Sequence, residues 1–244
     1  MRSSKHVPRR GARGRPESPT RADSNTTVCA LPSPPDVPHA GHVTADRARA
    51  VDTQRNAPEV EAAFQVVPRE MVAEIIDGEL VVQPRPRPRH ARVSSRVYGA
   101  LQGPFDREPK GPDAPGGWII LPEPEVHLGT MPDKLAPDIA GWHRGRLPDE
   151  LLDEDAPGGI TIAPDWVCEV ISKGSEQDDR VRKMRIYARE GVGHAWLISR
   201  ARVLEVYRLH EGHWLLVDTF AGDEKVRAEP FHAIELDLSG LWIW

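Results

Sequence analysis

The chain has 244 residues, Lys+Arg 32 against Asp+Glu 37, a formal net charge of −5 and 2 cysteines. Cys29 and Cys168 are too few and too far apart for a disulfide framework, and no run of roughly 18 apolar residues occurs, so neither an oxidising compartment nor a membrane span is expected. Residues 1–60 hold 10 basic and 6 acidic side chains and the remainder 22 and 31, which argues against the broad positive field of a strong nonspecific nucleic-acid binder. A local basic patch, or carboxylates that gather a divalent metal, stays compatible with that balance, and the expected location is cytoplasmic.

Residues 1–58 are rich in Pro, Arg, Ser, Thr and Ala, and TVCALP is their longest apolar patch, too short for a core. A disordered tail is expected there, with one domain over 59–244. The basic opening MRSSKHVPRRGARGRP lacks the apolar stretch of a secretory signal. It suits a nucleic-acid or membrane tether, a solvated tail, or sequence upstream of the true start codon.

The domain opens with VEAAFQVVPREMVAEIIDGELVVQP, of mixed helical spacing at first, with Pro68 able to begin a short helical turn. Glu74 to Val82 reads as a hairpin, because Asp77-Gly78 takes the left-handed angles of a tight turn. Pro84, Pro86 and Pro88 stop the sheet. His90 to Leu101 predicts a helix with Val93, Val97 and Leu101 on one stripe. After a Gly/Pro-rich loop centred on Asp106 to Gly117, WIILPEPEVHLG reads as one strand, or as two divided by Pro122 and Pro124. KLAPDIAGW offers a strand starting near Asp138, and LPDELLDEDAPGG a loop or short helix.

DWVCEVIS is the most buried-looking strand. A helix over about Glu176 to Glu190 follows, with Gly174 or Ser175 as its cap, acids in its first turn and Gly191 after its end. GHAWLIS, VLEVYRL and HWLLVDTF complete the strands, with Glu211-Gly212 as a second tight turn. Strand, helix, strand across 166–199 makes one crossover unit; the remainder is mostly hairpins. A mixed α/β sheet with a few flanking helices fits, and AIELDLSGLWIW is placed against it.

The charges inside these elements carry the chemistry. Alternation puts Val167, Glu169 and Ile171 on one face of a strand and Cys168 and Val170 on the other. A buried Glu169 needs a cation or several donors to offset its desolvation. Asp138, opening another apolar strand after a proline, raises the same problem. Two carboxylates at the ends of adjacent strands can jointly hold Mg²⁺ or Mn²⁺, hard ions that keep waters, with the backbone carbonyl of Val170 as a further oxygen.

Asp179, Lys183 and Tyr187 recur at four-residue spacing, on one helix face. Beside the parent strand, Lys183 could orient or help deprotonate a metal-bound water and steady charge on a phosphate. The spacing equally fits an exposed Asp179–Lys183 pair with Tyr187 packed at the margin. Glu74 can approach the metal from the first layer or sit exposed on its hairpin. His90 can touch phosphate or substrate at a cleft rim, or face solvent.

Other signals are missing: no HExxH among the 10 histidines, no GxGxxG before a helix, no GxxxxGK[ST] and no GxSxG. Ser172 reads as a turn hydrogen-bonder without a sequence-local base. Trp142, Trp166 and Trp196 read as core rather than as base-stacking platforms.

EIIDGELVV from Glu74, PRPRPRH ending at His90, LAPDIAGW around Asp138, and DWVCEVIS followed by DDRVRKMRIYAREGVGHAWLI together resemble the bacterial Uma-type restriction endonuclease family, within the PD-(D/E)XK nuclease superfamily. The resemblance covers about residues 60–240. It implies a restriction-endonuclease-like α/β fold, a mixed β-sheet flanked by helices with additional N-terminal and C-terminal hairpins. It also implies metal-binding acids at Asp138 and Glu169, an acid from the N-terminal element at Glu74, and homodimers. The superfamily's usual lysine position, two residues after the second acid, is Ile171 here; the lysine maps instead to Lys183 on the helix, with Asp179 and Tyr187 nearby. Relatives read Ser-Pro-Ser where this chain has Ser172-Lys173-Gly174-Ser175, which loosens the turn and adds Lys173 as a cation for phosphate.

The expectation is a divalent-metal-dependent endonuclease, with Mg²⁺ or Mn²⁺ as cofactor and nucleic acid, DNA first, as partner. The alternative is a catalytically silent nucleic-acid or protein interaction module on the same fold. A hydrolase of small phosphate compounds, with a narrow closed pocket, is a third class.

Overall fold

A computed structural model describes residues 58–111, 114–130, 132–153 and 158–242. The tail expected over 1–58, apart from Pro58, and with it Cys29, lies outside the described residues. Pro58–Gln65 forms helix α1, with Glu59 and Glu61 in the first turn, where carboxylates suit the helix dipole. Pro68 heads a single turn, closed by the Met71 N–H on its carbonyl at 2.9 Å. Strands β1 (Met71–Ile76) and β2 (Glu79–Pro84) follow as an antiparallel hairpin. At its tip Asp77 and Gly78 have φ of 53° and 79°, the pair of left-handed residues that matches the twist of the flanking strands.

Helix α2 (Pro88–Phe105) begins with proline in its first turn and runs one turn beyond the expected end, burying Val93, Val97, Leu101 and Phe105 along one face. The apolar segment after the loop divides into β3 (Trp118–Pro122) and β4 (Val126–Leu128), and β5 (Asp133–Leu135) and β6 (Ile139–His143) succeed them. Strand β7 (Trp166–Val170) leads to a π-helical stretch, Asp178–Lys183, continuous with helix α3 (Met184–Arg189). Then come β8 (His194–Ser199), β9 (Val203–His210), β10 (His213–Ala221), and the short pair β11 (Lys225–Val226) and β12 (Leu236–Asp237).

Two larger sheets result, where sequence pattern suggested one with added hairpins. The first hairpin belongs to a four-stranded sheet, order β2-β1-β5-β4, and the Glu211-Gly212 hairpin is the edge of a six-stranded sheet, order β10-β9-β8-β7-β6-β3. Within the latter only β7 and β8 are parallel, as the helical connection between them requires.

Both faces of the six-stranded sheet are covered, which is why its middle strands read as unbroken apolar runs. Cys168 and Val170 pack with α2, with Trp118, Trp166 and Trp196, and with the C-terminal Phe231, Leu238, Leu241 and Trp242. Val167 and Ile171 pack the other way, with Met184, Ile186 and Tyr187 and with residues of the smaller sheet. Each such fully buried large side chain is worth about 1.5–3 kcal/mol. No helix among the described residues is long and apolar enough to cross a membrane.

Candidate active site

Pro137 keeps Ala136 extended, so the chain enters β6 with Asp138 at its mouth. The Asp138 carboxylate has two partners: Oδ2 accepts the Val170 N–H at 2.7 Å, and Oδ1 lies 2.5 Å from His90 Nε2. Pairing of Ile139 with Cys168 sets Glu169 of β7 beside Asp138, whose N–H approaches Glu169 Oε2 at 3.5 Å. Glu169 shares a strand face with Val167 and Ile171, toward α3, and its Oε1 accepts the Tyr187 hydroxyl at 2.7 Å. From the smaller sheet, Glu74 Oε1 accepts the Ala136 N–H at 2.9 Å.

Lys183 ties these acids together. Its Nζ lies 2.9 Å from Glu74, 3.0 Å from Asp179 and 3.5 Å from Glu169. Lys183 and Asp179 are 3% and 4% exposed, so they are not the surface pair that helical spacing also allowed. Glu74, at 3%, is no exposed hairpin residue. His90 does not face solvent either: it holds Asp138. The widened π turn, a feature common at functional sites, places Asp179 and Lys183 at its start and end.

Burial alone would lower the Lys183 ammonium, but Glu169, Glu74 and Asp179 outweigh it and raise its pKa well above the usual lysine value. Glu169 is pushed well up by burial; Lys183 opposes this, while Asp179, Asp138 and Glu74 add to it. Burial and the adjacent Glu169 carboxylate likewise hold the Tyr187 phenol well above its ordinary value. At His90 burial acts downward, and the bond to Asp138 and its charge win, raising the imidazole. Burial, then the Asp138 and Glu169 charges, keep the Cys168 thiol protonated and unreactive.

These residues form the floor of a cleft of about 610 Å³. Asp138, Glu169, Lys183, Glu74, Asp179 and His90 line it, while Tyr187 stands behind Glu169. Val170 also lines the cleft, but its N–H is committed to Asp138. Lys173 is exposed at the opening, within a turn in which the Ser172 and Ser175 hydroxyls bond each other at 2.9 Å. Ser175 thus offers the helix no side-chain cap. Sequence reasoning missed Arg85, Arg87 and Arg200, which line the opening too; the PRPRPR run was legible, but its prolines overshadowed its charges.

Comparison with known proteins follows the same outline. The Uma2 family model, described as "Putative restriction endonuclease", matches residues 60–239. A crystal structure described as that of a putative nuclease from Anabaena variabilis aligns with a TM-score of 0.59 at 20% identity, covering 75% of this chain and 96% of that one. At that identity the likeness is one of fold, and the fold is the restriction-endonuclease-like mixed α/β arrangement that the sequence motifs implied. No curated protein matches the chain.

Proposed function

The chain belongs to the Uma2 family, and from that premise we propose that it is a divalent-metal-dependent endonuclease hydrolysing nucleic-acid phosphodiesters, with DNA as substrate. In this reading residues 59–244 are the catalytic domain and 1–58 an appended tail. The observation that supports it most is the Lys183 ammonium among Glu74, Asp179 and Glu169, at the floor of a cleft that Asp138 shares.

Glu74, Asp138, Asp179 and Glu169 face one lysine and one histidine beside an open cleft, and a divalent cation there would offset the burial that pushes Glu169 toward its protonated form. Among the described residues no three His, Cys, Asp or Glu side chains form a ready metal cage. Asp138 and Glu169, with the Val170 carbonyl, would therefore hold Mg²⁺ or Mn²⁺ alongside waters, as Mg²⁺ commonly binds. Bound there, the ion supplies a Lewis acid for the phosphate and activation of water.

The chain's own groups prepare that site. His90 fixes the rotamer of Asp138, and Tyr187 fixes that of Glu169. Glu74 and Asp179 hold Lys183 in place and charged, so it acts as an electrostatic stabiliser of the phosphate's developing charge rather than as a base. Purified protein should nick plasmid DNA with Mg²⁺ or Mn²⁺ and stop on chelation. Lys183→Ala should lower the rate about 10²- to 10³-fold, and Asp138→Ala should abolish cleavage. Clean, folded protein that cuts neither DNA nor RNA with any divalent ion defeats the proposal.

One observation favours a silent interaction module: Lys183 is already satisfied by direct ion pairs. Duplex binding without cleavage, unchanged in Lys183→Ala, would select it. The enzyme reading carries with it a cytoplasmic homodimer, for which sedimentation equilibrium is the direct test.

A further inference from the structure

The floor of the cleft is rich in carboxylates; its opening has the opposite sign. Arg85 and Arg87 line it from the segment joining β2 to α2, and Lys173 and Arg200 line it from just beyond β7 and β8. All four are exposed. Because β7 and β8 are parallel, Lys173 and Arg200 follow the same edge of the sheet, the carboxyl edge at which open α/β sheets commonly present ligand sites.

Arginines beside the site but off the opening include structurally occupied ones: Arg182 reaches the Ile76 carbonyl and Asp178, and Arg189 reaches Asp133. Arg87, Lys173 and Arg200 carry no ion pair among the described residues. Arg85 bonds the Arg69 carbonyl at 2.9 Å and approaches Glu123 at 3.4 Å, with guanidinium donors left over. Glu123 is the acid at this part of the opening.

Prolines on both sides stiffen the arginine segment. Arg85 and Arg87 each precede a proline, which favours extended backbone at both, and Arg87 has φ −67° and ψ 155°; extended residues two apart advance by roughly 6 Å. That step resembles the one between neighbouring phosphates on a strand. Among the described residues no Phe, Tyr or Trp lines the cleft, so none of them offers a platform for the stacking that holds splayed single-stranded bases. What the opening offers is cations, which suit phosphates.

Resting on the reading of this site as a phosphodiester hydrolase, we propose that Arg85, Arg87, Lys173 and Arg200 form a rim that grips the phosphate backbone of a nucleic-acid duplex beside the bond presented to the floor, without reading its bases. The cations draw the backbone into a cleft whose floor would otherwise repel it. Selection of a particular sequence is not among the functions of this opening.

Fluorescence anisotropy tests the rim without metal and without cleavage. The probes are two labelled DNA duplexes of unrelated sequence and one of their single strands, over a salt series. The wild-type chain should bind both duplexes alike and the single strand more weakly. Arg85→Gln/Arg87→Gln and Lys173→Gln/Arg200→Gln should each flatten the slope of log affinity against log salt by about two, one per lost phosphate contact. Thermal melting should stay unchanged, since all four side chains are exposed. An unchanged slope in either double variant, a preference between the duplexes, or tighter single-strand binding overturns the rim. Cleavage that proceeds while the slopes do not move sinks the rim alone; flattened slopes in a chain that never cuts sink the hydrolase reading and leave the rim as a binding site.

Discussion

Glu169 is a carboxyl group at 2% exposure, and the donors that offset its burial are the Tyr187 hydroxyl at 2.7 Å and, farther off at 3.5 Å, Lys183. Tyr187→Phe keeps the ring and removes the nearest donor. We expect a loss of about 1–3 kcal/mol, the cost of leaving a buried acceptor short of a partner, read as a lower urea midpoint at constant slope. An unchanged midpoint would mean that the bond contributes nothing. The shared face of Asp179, Lys183 and Tyr187 was legible from spacing alone, because those contacts are local. The partners of Glu74 and His90 were not: they lie 62 and 48 residues away along the chain, and no local pattern encodes so distant a meeting.

Among elements, the hairpins were the most legible, since Asp77-Gly78 and Glu211-Gly212 declare their turns in two residues. Less so was the end of α2, expected at Leu101, where the helix continues to Phe105. The division of WIILPEPEVHLG between two sheets depends on partners supplied from elsewhere, and the π turn has no sequence signature that spacing rules detect. Strand β6 carries a testable consequence of close packing. A Cβ on Gly141 would lie 3.2 Å from the Trp166 ring and 3.3 Å from that of Trp118, two rigid indoles on the neighbouring strands. Gly141→Ala should therefore cost about 1–3 kcal/mol by overpacking, measured by chemical denaturation. A neutral result would show that the two rings can part without penalty.

At the scale of the molecule, the C-terminal segment closes one side of the main sheet through Phe231. Its ring lies 4.7 Å from Phe105, 4.9 Å from Trp118, 4.8 Å from Trp166 and 5.6 Å from Trp196. Phe231→Ala empties the centre of that cluster, and we expect a loss of about 3–5 kcal/mol, seen as a markedly lower melting temperature. Since Asp138 and Glu169 are positioned by strands this cluster supports, the proposed activity should survive only below the new transition. A melting temperature close to wild type would show that the aromatic cluster can collapse around the gap.

The floor of the cleft draws on both sheets, on α2 and on the turn before α3: Glu74, His90, Asp138, Glu169, Asp179 and Lys183 come from five separate stretches of chain. A polypeptide emerging from the ribosome amino end first cannot assemble that set until Lys183 has cleared the exit tunnel, and β7 has no parallel neighbour until Ser199 follows it. Every truncated product of interrupted synthesis short of that point is thus born without the constellation, so whatever activity the assembled site carries begins only with a nearly finished chain.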